Sequence, residues 1–292
     1  MELRQLRTFV AVVDCSSFSR AAEELNLTQP AVTAQIQALE RDLGARLLER
    51  LPRQVLLTPA GEALLPYARG IVNLEREGKE ALAALQGLRA GCLRVGASPT
   101  IGTYLLPQVL GEFKRRYPGL RVIAEIEPSQ RVAEALAMHA LDLGLVEAPV
   151  QSDALEIAPF LTDEMVLAVP AGHPWAGRSS IRLEELAHEP MIVREPTSST
   201  RRLVEGRLRA AGVEAQPALE LGGIEAIKNA VAAGLGVTFI SRVALSGEGL
   251  QRLVVVPVEG LDLRRPLYRL LHKQRQATLP ARALLDLLAE LA

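Results

Sequence analysis

Apolar residues over the first 58 positions recur at helical spacing. Leu6, Phe9, Val10 and Val13 share one face, Ala21, Ala22 and Leu25 a second, and Val32, Ile36, Leu39 and Leu43 a third. The second and third predicted helices are separated only by a turn through Asn26-Leu27-Thr28. After Gly44, "RLLERLPRQVLLT" places Pro52 between two short apolar runs, the pattern of a small hairpin. Thr58-Pro59 then opens a longer helix, with Thr as N-cap and Pro in the first turn, and the pattern stays helical to about Leu88. Along it Tyr67, Ile71, Leu74, Gly78, Ala81, Leu85 and Leu88 keep a four-three spacing. That stripe predicts a seam for the same helix of a second subunit; the alternative is a long helix lying on its own domain.

From Gly91 the pattern changes. "CLRVGA" reads as a strand, "TYLLPQVLGEFKRRYP" as a helix, "LRVIAEI" as a strand, "SQRVAEALAMHAL" as a helix and "DLGLV" as a buried strand. The alternation resumes after residue 160 with "EMVLAVP", "PMIVRE", a helix from about Ser199, "ALEL", a helix from about Gly223, and "GVTFIS". Strands alternating with helices predict a largely parallel sheet with crossover helices, hence an α/β fold. Two successive units of this kind predict two lobes with a ligand-sized cleft between them.

Composition narrows the class. The 292 residues are 49% hydrophobic and 23% charged, enough for at least two cores, and the net charge of −1 gives no basic signature. No apolar run approaches a membrane-spanning length, and "MELRQLRTFV" has no signal-peptide pattern, so a soluble cytoplasmic protein is expected, with no membrane partner. Cys15 and Cys92 fall in different predicted domains, which argues against a disulfide framework. Nucleophile-elbow, zinc-protease and phosphate-loop signatures are missing, and "GLGVTF" lacks the third glycine of a dinucleotide fingerprint. His139, His173, His188 and His272 are scattered without metal-ligand spacing, so structural roles are expected for them. Neither a catalytic residue nor a cofactor or metal is expected. An enzyme and a solute-binding protein are the rival readings; the second leaves the first 90 residues without purpose and requires an export signal.

The helix-turn-helix spacing carries the chemistry. Thr28 can cap the second helix of the pair, and Pro30 fits its first turn, where the missing N–H costs nothing. Gln29, Thr33 and Gln35 then fall on or near one edge at its N-terminal end. Gln can pair bidentately with adenine, and Thr offers a hydroxyl and a methyl to thymine. A recognition helix presents its N-terminal residues to the major groove; the competing reading is an ordinary solvated face. Charge does not decide between them, because seven Arg balance seven acids over residues 1–58. Phosphate contacts must come from placement, with Arg50 and Arg53 beside Pro52 as candidates, and Arg20 and Arg41 either structural or reaching the backbone.

Taken together, "LRTFVAVVDCSSFSRAAEELNLTQPAVTAQIQALERDLGARLLER" and the following "RQVLLTPAGEALL" resemble the N-terminal region of LysR-type transcriptional regulators. The resemblance is ungapped and dense at Phe9, Phe18-Ser19-Arg20-Ala21-Ala22, Leu27, Gln29-Pro30-Ala31-Val32, Gln35-Ile36, Leu39-Glu40, Leu43-Gly44 and Thr58-Pro59-Ala60-Gly61. "VPAGHPWA" is similar to that family's second lobe, so the likeness spans the chain. It departs at Ser16, where the family often has Gly, and at Leu48, where Phe is common. The resemblance implies a winged helix-turn-helix over residues 1–58, a linker and dimerisation helix over 59–90, and an effector-binding domain over 91–292. The last resembles type 2 periplasmic binding proteins, with lobe I about 91–161 and 266–292 and lobe II about 162–265. Implied partners are double-stranded promoter DNA, a small-molecule inducer and further copies of the chain, as dimer or homotetramer, with RNA polymerase a further candidate.

Two hydroxyl clusters fall where strands run into helices. One is "GASPTIGTY", with the hydroxyls of Ser98, Thr100 and Thr103 and with Pro99 between the first two as a further candidate; the other is "REPTSSTRR", with Thr197, Ser198, Ser199, Thr200 and Arg201. Hydroxyls and free N–H groups at helix N-termini make an anion site, and a nearby Arg adds charge. N-capping alone accounts for either cluster singly, but five consecutive capping or basic residues exceed one cap's need. The second cluster resembles an E-P-x-S-x-T-R motif of LysR-type regulators of sulfur assimilation and carbon fixation, with Thr197 and Ser199 where glycines are usual. An anionic inducer is therefore expected. Ile224, after Gly222-Gly223, and Glu147, after "DLGLV", are candidate cleft walls; core packing and a surface position are their alternatives.

Overall fold

The computed structural model describes residues 1–51, 54–84, 91–214, 216–245 and 252–290, and the statements below concern these residues. Helices α1 (Leu3–Cys15), α2 (Phe18–Glu24) and α3 (Gln29–Leu43) bury Leu6, Phe9, Val12, Ala21, Val32, Ile36 and Leu39 against one another. Their ends are fixed by short-range chemistry. Helix α1 stops at Ser16, whose φ of 48° is left-handed, and Gly would hold that conformation with less strain. The departure from the family at this position is thus a backbone matter. Ser17 caps α2 by accepting from the Arg20 N–H at 3.3 Å, and Thr28 caps α3 by accepting from the Ala31 N–H at 3.4 Å.

Strands β1 (Leu48–Leu51) and β2 (Gln54–Leu57) form an antiparallel hairpin, Leu48 opposite Leu57 and Leu51 opposite Gln54. Leu48 is buried in the helical core. The Glu40 carboxylate holds the wing's entry by accepting from the N–H groups of Leu47 and Leu48 at 2.9 and 3.3 Å. At the wing's exit Thr58 donates to the Arg46 carbonyl at 2.6 Å, and a Cβ on Gly61 would stand 2.1 Å from the Leu47 carbonyl oxygen. Only glycine fits there, which gives "TPAG" its structural reason.

Helix α4 (Pro59–Ala84) carries Leu64, Leu65, Ala68 and Val72 onto the three-helix core. Arg69 pairs with Asp14 at 2.5 Å and Arg7 with Glu75, tying the helix to α1. Its other side leaves Tyr67, Ile71, Leu74 and Leu82 exposed. Leu82 extends the apolar surface beyond the predicted stripe; Leu85, Leu88 and the side chain of Ala81 lie outside the described residues.

The remainder runs β3 (Gly91–Ala97), a π-helical turn over Ile101–Leu105, α5 (Leu106–Arg116), β4 (Leu120–Ile126), α6 (Ser129–Ala137), β5 (Leu143–Val146) and β6 (Leu155–Pro170). It continues through β7 (Pro190–Arg194), α7 (Ser199–Ala210), β8 (Gln216–Leu221), α8 (Ile224–Ala232), β9 (Thr238–Ser241), β10 (Leu253–Val256), β11 (Arg264–His272) and α9 (Leu279–Glu290). Strands β3, β4 and β5 are parallel, as are β7 and β8. The sheet is nevertheless mixed where the alternation predicted it largely parallel. β6 and β11 are long strands that pair antiparallel with each other, with β5 on one side and with β9 and β10 on the other. They carry the chain from one lobe to the other and back. "LEIAPFLTD" hides the first half of β6, because Pro159 and interspersed acids mask its strand pattern. Each lobe has its own apolar clusters, around Leu93, Val95, Phe113 and Leu284 in the first and around Leu167, Val169, Leu208 and Phe239 in the second.

Candidate DNA interface and effector cleft

Gln29 opens α3 and is exposed, as are Thr28 and Pro30; Thr33 is half-buried further along the helix. Gln35 is committed inward through its side-chain oxygen, which accepts from the Thr8 hydroxyl at 2.6 Å. Arg20 donates to the Cys15 carbonyl and so braces α2 on α1. Arg53 and the side chain of Arg50 lie outside the described residues. Three of the seven acids that balance the arginines are turned to structural work. Asp42 pairs with the N-terminal ammonium at 2.8 Å, Asp14 with Arg69, and Glu40 with the wing backbone. Arg41 and Arg46 remain exposed at the far end of α3. A domain with no net charge therefore still offers cations on its surface.

Between the lobes lies a tight pocket of about 10 Å3, room for roughly one water, whose walls include Thr100, Arg194, Thr200, Ile224, Phe239 and Ser241. The parallel strands deliver their C-terminal ends here, as open α/β sheets do. Ser98 follows β3 directly, its N–H bonded to the Leu145 carbonyl at 2.9 Å. The hydroxyl oxygens of Ser98 and Thr100 are buried, at residues 0% and 2% exposed, and reach no hydrogen-bond partner among the described residues. Ser198 caps α7 by accepting from the Arg201 N–H at 3.4 Å, and Thr200 sits in the first turn.

Beneath the pocket the Arg265 guanidinium, 5% exposed, is held by Asp163 at 2.8 Å and Glu147 at 3.2 Å and donates to Thr200 Oγ1 at 3.2 Å. Asp163 also accepts from Ser241 at 2.6 Å, and Glu147 from Ser199 at 3.2 Å. This network joins the residue that follows β5 to β6, β9, β11 and α7, and so crosses the cleft.

The predicted residues divide accordingly. Thr100, Thr200 and Ile224 share the pocket, with Ser98 just behind Thr100, while Glu147 and Ser199 meet in the floor network. Pro99 is half-buried, and Thr197 is exposed with its carbonyl accepting from Arg202 at 2.8 Å. Arg201 is turned away, donating to Glu205, Glu220 and the Arg194 carbonyl at 2.6, 2.7 and 2.7 Å. Those carboxylates, Glu220 first, raise its pKa further. The cation on the pocket wall is Arg194, which grips Glu195 through two 2.8 Å bonds. Burial would raise the Glu195 carboxyl, but the Arg194 bonds outweigh it and hold the pKa below the usual range.

Residues 3–62 match the bacterial regulatory helix-turn-helix family of LysR proteins, and residues 86–292 match the LysR substrate binding domain. The chain belongs to the LysR family. It is a DNA-binding transcriptional regulator with an effector-binding domain. A similar curated protein is the transcriptional activator CmpR of Synechocystis sp., 37% identical over 98% of this chain and 94% of that protein. Among solved structures, full-length CbnR complexed with its target DNA superposes with a TM-score of 0.76 at 26% identity, covering all of both chains. The CcmR regulatory domain of Synechocystis PCC6803 in complex with 2-PG covers 69% of this chain and 97% of its own, with a TM-score of 0.64 at 31% identity.

In a LysR-family regulator, what happens in the cleft has to reach the DNA-binding heads, and here α4 meets the first lobe at a buried carboxylate. Asp142 accepts from the Arg94 N–H and from Arg275 at 2.7 Å each, and Arg76 of α4 stands 3.9 Å away. Beside it the His139 and His272 rings lie 4.4 Å apart. Burial lowers both imidazoles below their ordinary value, His139 further through His272 and Arg275, and His272 through Arg275. Depressed His values favour the neutral folded state. Their stabilisation is complete above the unfolded value near 6.5 and is lost as pH falls from there through the lowered folded values. Thermal unfolding followed from about pH 7.5 to about pH 5 is expected to show the effector domain weakening. A His139→Gln/His272→Gln chain is expected to show a flatter profile; an identical profile would remove the pair as its cause.

Arg194, Asp163 and Arg265 were not singled out from sequence. For Arg265 a signal existed: Arg265 and Leu267 face inward while Arg264 and Pro266 are exposed, so the alternation puts a cation in the core register. Arg194 stands at the end of a buried strand, where nothing in its neighbours distinguishes it.

Proposed function

We propose that this regulator reads operator bases through the front of α3 and is controlled by a small anion bound between its lobes. Gln29 and Thr33 are the base-reading residues, with Thr28 and Pro30 setting the helix start and Arg50, Arg53 and Arg41 contacting phosphates. The effector is held by the hydroxyls of Ser98, Thr100 and Thr200 and by Arg194, with the N-terminus of α7 adding its favourable field. The observation that carries this reading is the pair of buried hydroxyls at Ser98 and Thr100 that find no partner among the described residues, because buried polar groups are otherwise nearly always bonded. The protein works in the cytoplasm without catalytic activity, paired through the exposed stripe of α4, with dimers associating into tetramers on DNA.

The test is an operator-binding titration with and without candidate effectors. 2-PG, which the similar CcmR domain binds, comes first, and other small phosphorylated and sulfur oxyanions follow. Thr100→Val keeps the shape of the side chain and removes the hydroxyl. Effector affinity is expected to fall about 10-fold or more, while effector-free operator binding is unchanged. An undiminished effector response in Thr100→Val would take that hydroxyl out of the site.

A further inference from the structure

Away from the pocket floor, one pair of groups ties the lobes together. Tyr104 lies in the π-helical turn Ile101–Leu105 of the first lobe, four residues after Thr100. Such turns displace side chains from ordinary helical register. The Tyr104 ring is 9% exposed and packs in the second lobe's core, with Ile192, Ile227, Val231, Ile240 and Ala244. Every other buried member of that cluster belongs to the second lobe. Its hydroxyl donates to Glu225 of α8 at 2.6 Å. Lys228 bonds the same carboxylate at 2.9 Å and sits 5.2 Å from the ring centroid.

We propose that Tyr104 is a positioning residue that latches the two lobes over the effector pocket. Separating the lobes must withdraw the ring from the second core and break the bond to Glu225. Pocket and latch share their elements: Thr100 precedes the turn that carries Tyr104, and Ile224 and Ile227, which flank Glu225, line the pocket. An effector that touches either wall therefore acts on the latch, and the latch sets the ratio of open to closed protein on which the effector works. Burial and the Glu225 carboxylate push the Tyr104 hydroxyl above its ordinary value, so it stays a donor. The bonds from Tyr104 and Lys228 lower Glu225, so it stays an acceptor.

The test needs no effector. In full-length protein carrying Cys15→Ser and Cys92→Ser, a thiol introduced by Thr100→Cys lies on the pocket wall and reacts with an aromatic disulfide reagent when the lobes part. Its labelling rate then tracks the open fraction. Tyr104→Phe retains the ring and removes only the bond, and is expected to speed labelling about three- to tenfold, since a bond to a charged acceptor is lost at a partly exposed site. Adding Glu225→Gln to that variant is expected to give little further increase, because both changes remove the same interaction. A second reporter, Ala281→Cys in the first lobe's core, is expected to label at an unchanged rate. Wild-type labelling at position 100 in Tyr104→Phe would overturn the latch. So would equal acceleration at position 281, which would mean general loosening of the fold.

Discussion

Gln29→Ala is expected to lower specific operator affinity by about 1–3 kcal/mol, roughly 5- to 150-fold, while leaving affinity for random DNA and the dimer unchanged. Gln29 stands exposed at the first position of α3, ahead of any side chain the core requires. Its amide can donate to and accept from one adenine edge at once, a geometry Ala cannot reproduce. Fluorescence anisotropy on operator and on scrambled duplexes checks it, with sedimentation to follow the dimer. Because Gln29 is uncharged, the slope of affinity against salt is also expected to stay the same. Equal losses on both duplexes would make Gln29 a backbone contact and move base reading elsewhere on the helix.

The second large effect is on stability. Arg265→Ala leaves Glu147 and Asp163, 6% and 1% exposed, facing one another without the guanidinium between them. Removing one partner from a buried ionic network costs about 3–5 kcal/mol, because the remaining charges can neither pair nor hydrate. Calorimetry is expected to show the effector domain melting well below wild type, with the three-helix core of residues 1–58 unaffected. Arg265→Lys should recover only part of the loss, since an ammonium cannot supply the fork that meets Asp163, Glu147 and Thr200 together. A melting profile like wild type in Arg265→Ala would mean the cluster contributes no net stability. Because the same network joins α7 to the residue after β5, to β6 and to β11, its loss is also expected to blunt the effector response.

The sequence was most informative where local rules govern. The helix-turn-helix follows from apolar periodicity, from the caps at Ser17 and Thr28 and from Pro30, all of which act within a few residues. The wing followed from Pro52 between two apolar runs, and "TPAG" from a backbone approach that only Gly61 allows. Legibility fell where distant segments meet. β6 and β11 pair across about a hundred residues, and their antiparallel crossing made a mixed sheet of what alternation had suggested was largely parallel. The hydroxyl clusters could be placed at strand ends from sequence. Which member faces the pocket depended on the helical turn, so Thr200 faces in while Thr197 is exposed. Arg201 looked like the natural anion contact, yet it is held by Glu205, one turn on in α7, and by Glu220, which comes within reach only in the folded chain. Arg194 took the pocket wall instead. Glu147, Ser199 and Thr200 were legible as candidates, and the alternation of β11 marks Arg265 as inward, but which charges meet is long-range pairing that leaves no periodic trace.

The most direct measurement is selection of genomic fragments by full-length protein, run in parallel for wild type and Gln29→Ala. The expected result is wild-type enrichment of discrete sites sharing one pseudopalindromic motif, with the base preference at one position of each half-site weakened in Gln29→Ala. Enrichment of the same motif with undiminished preference by both proteins, or no enrichment by either, would contradict base reading through the front of α3.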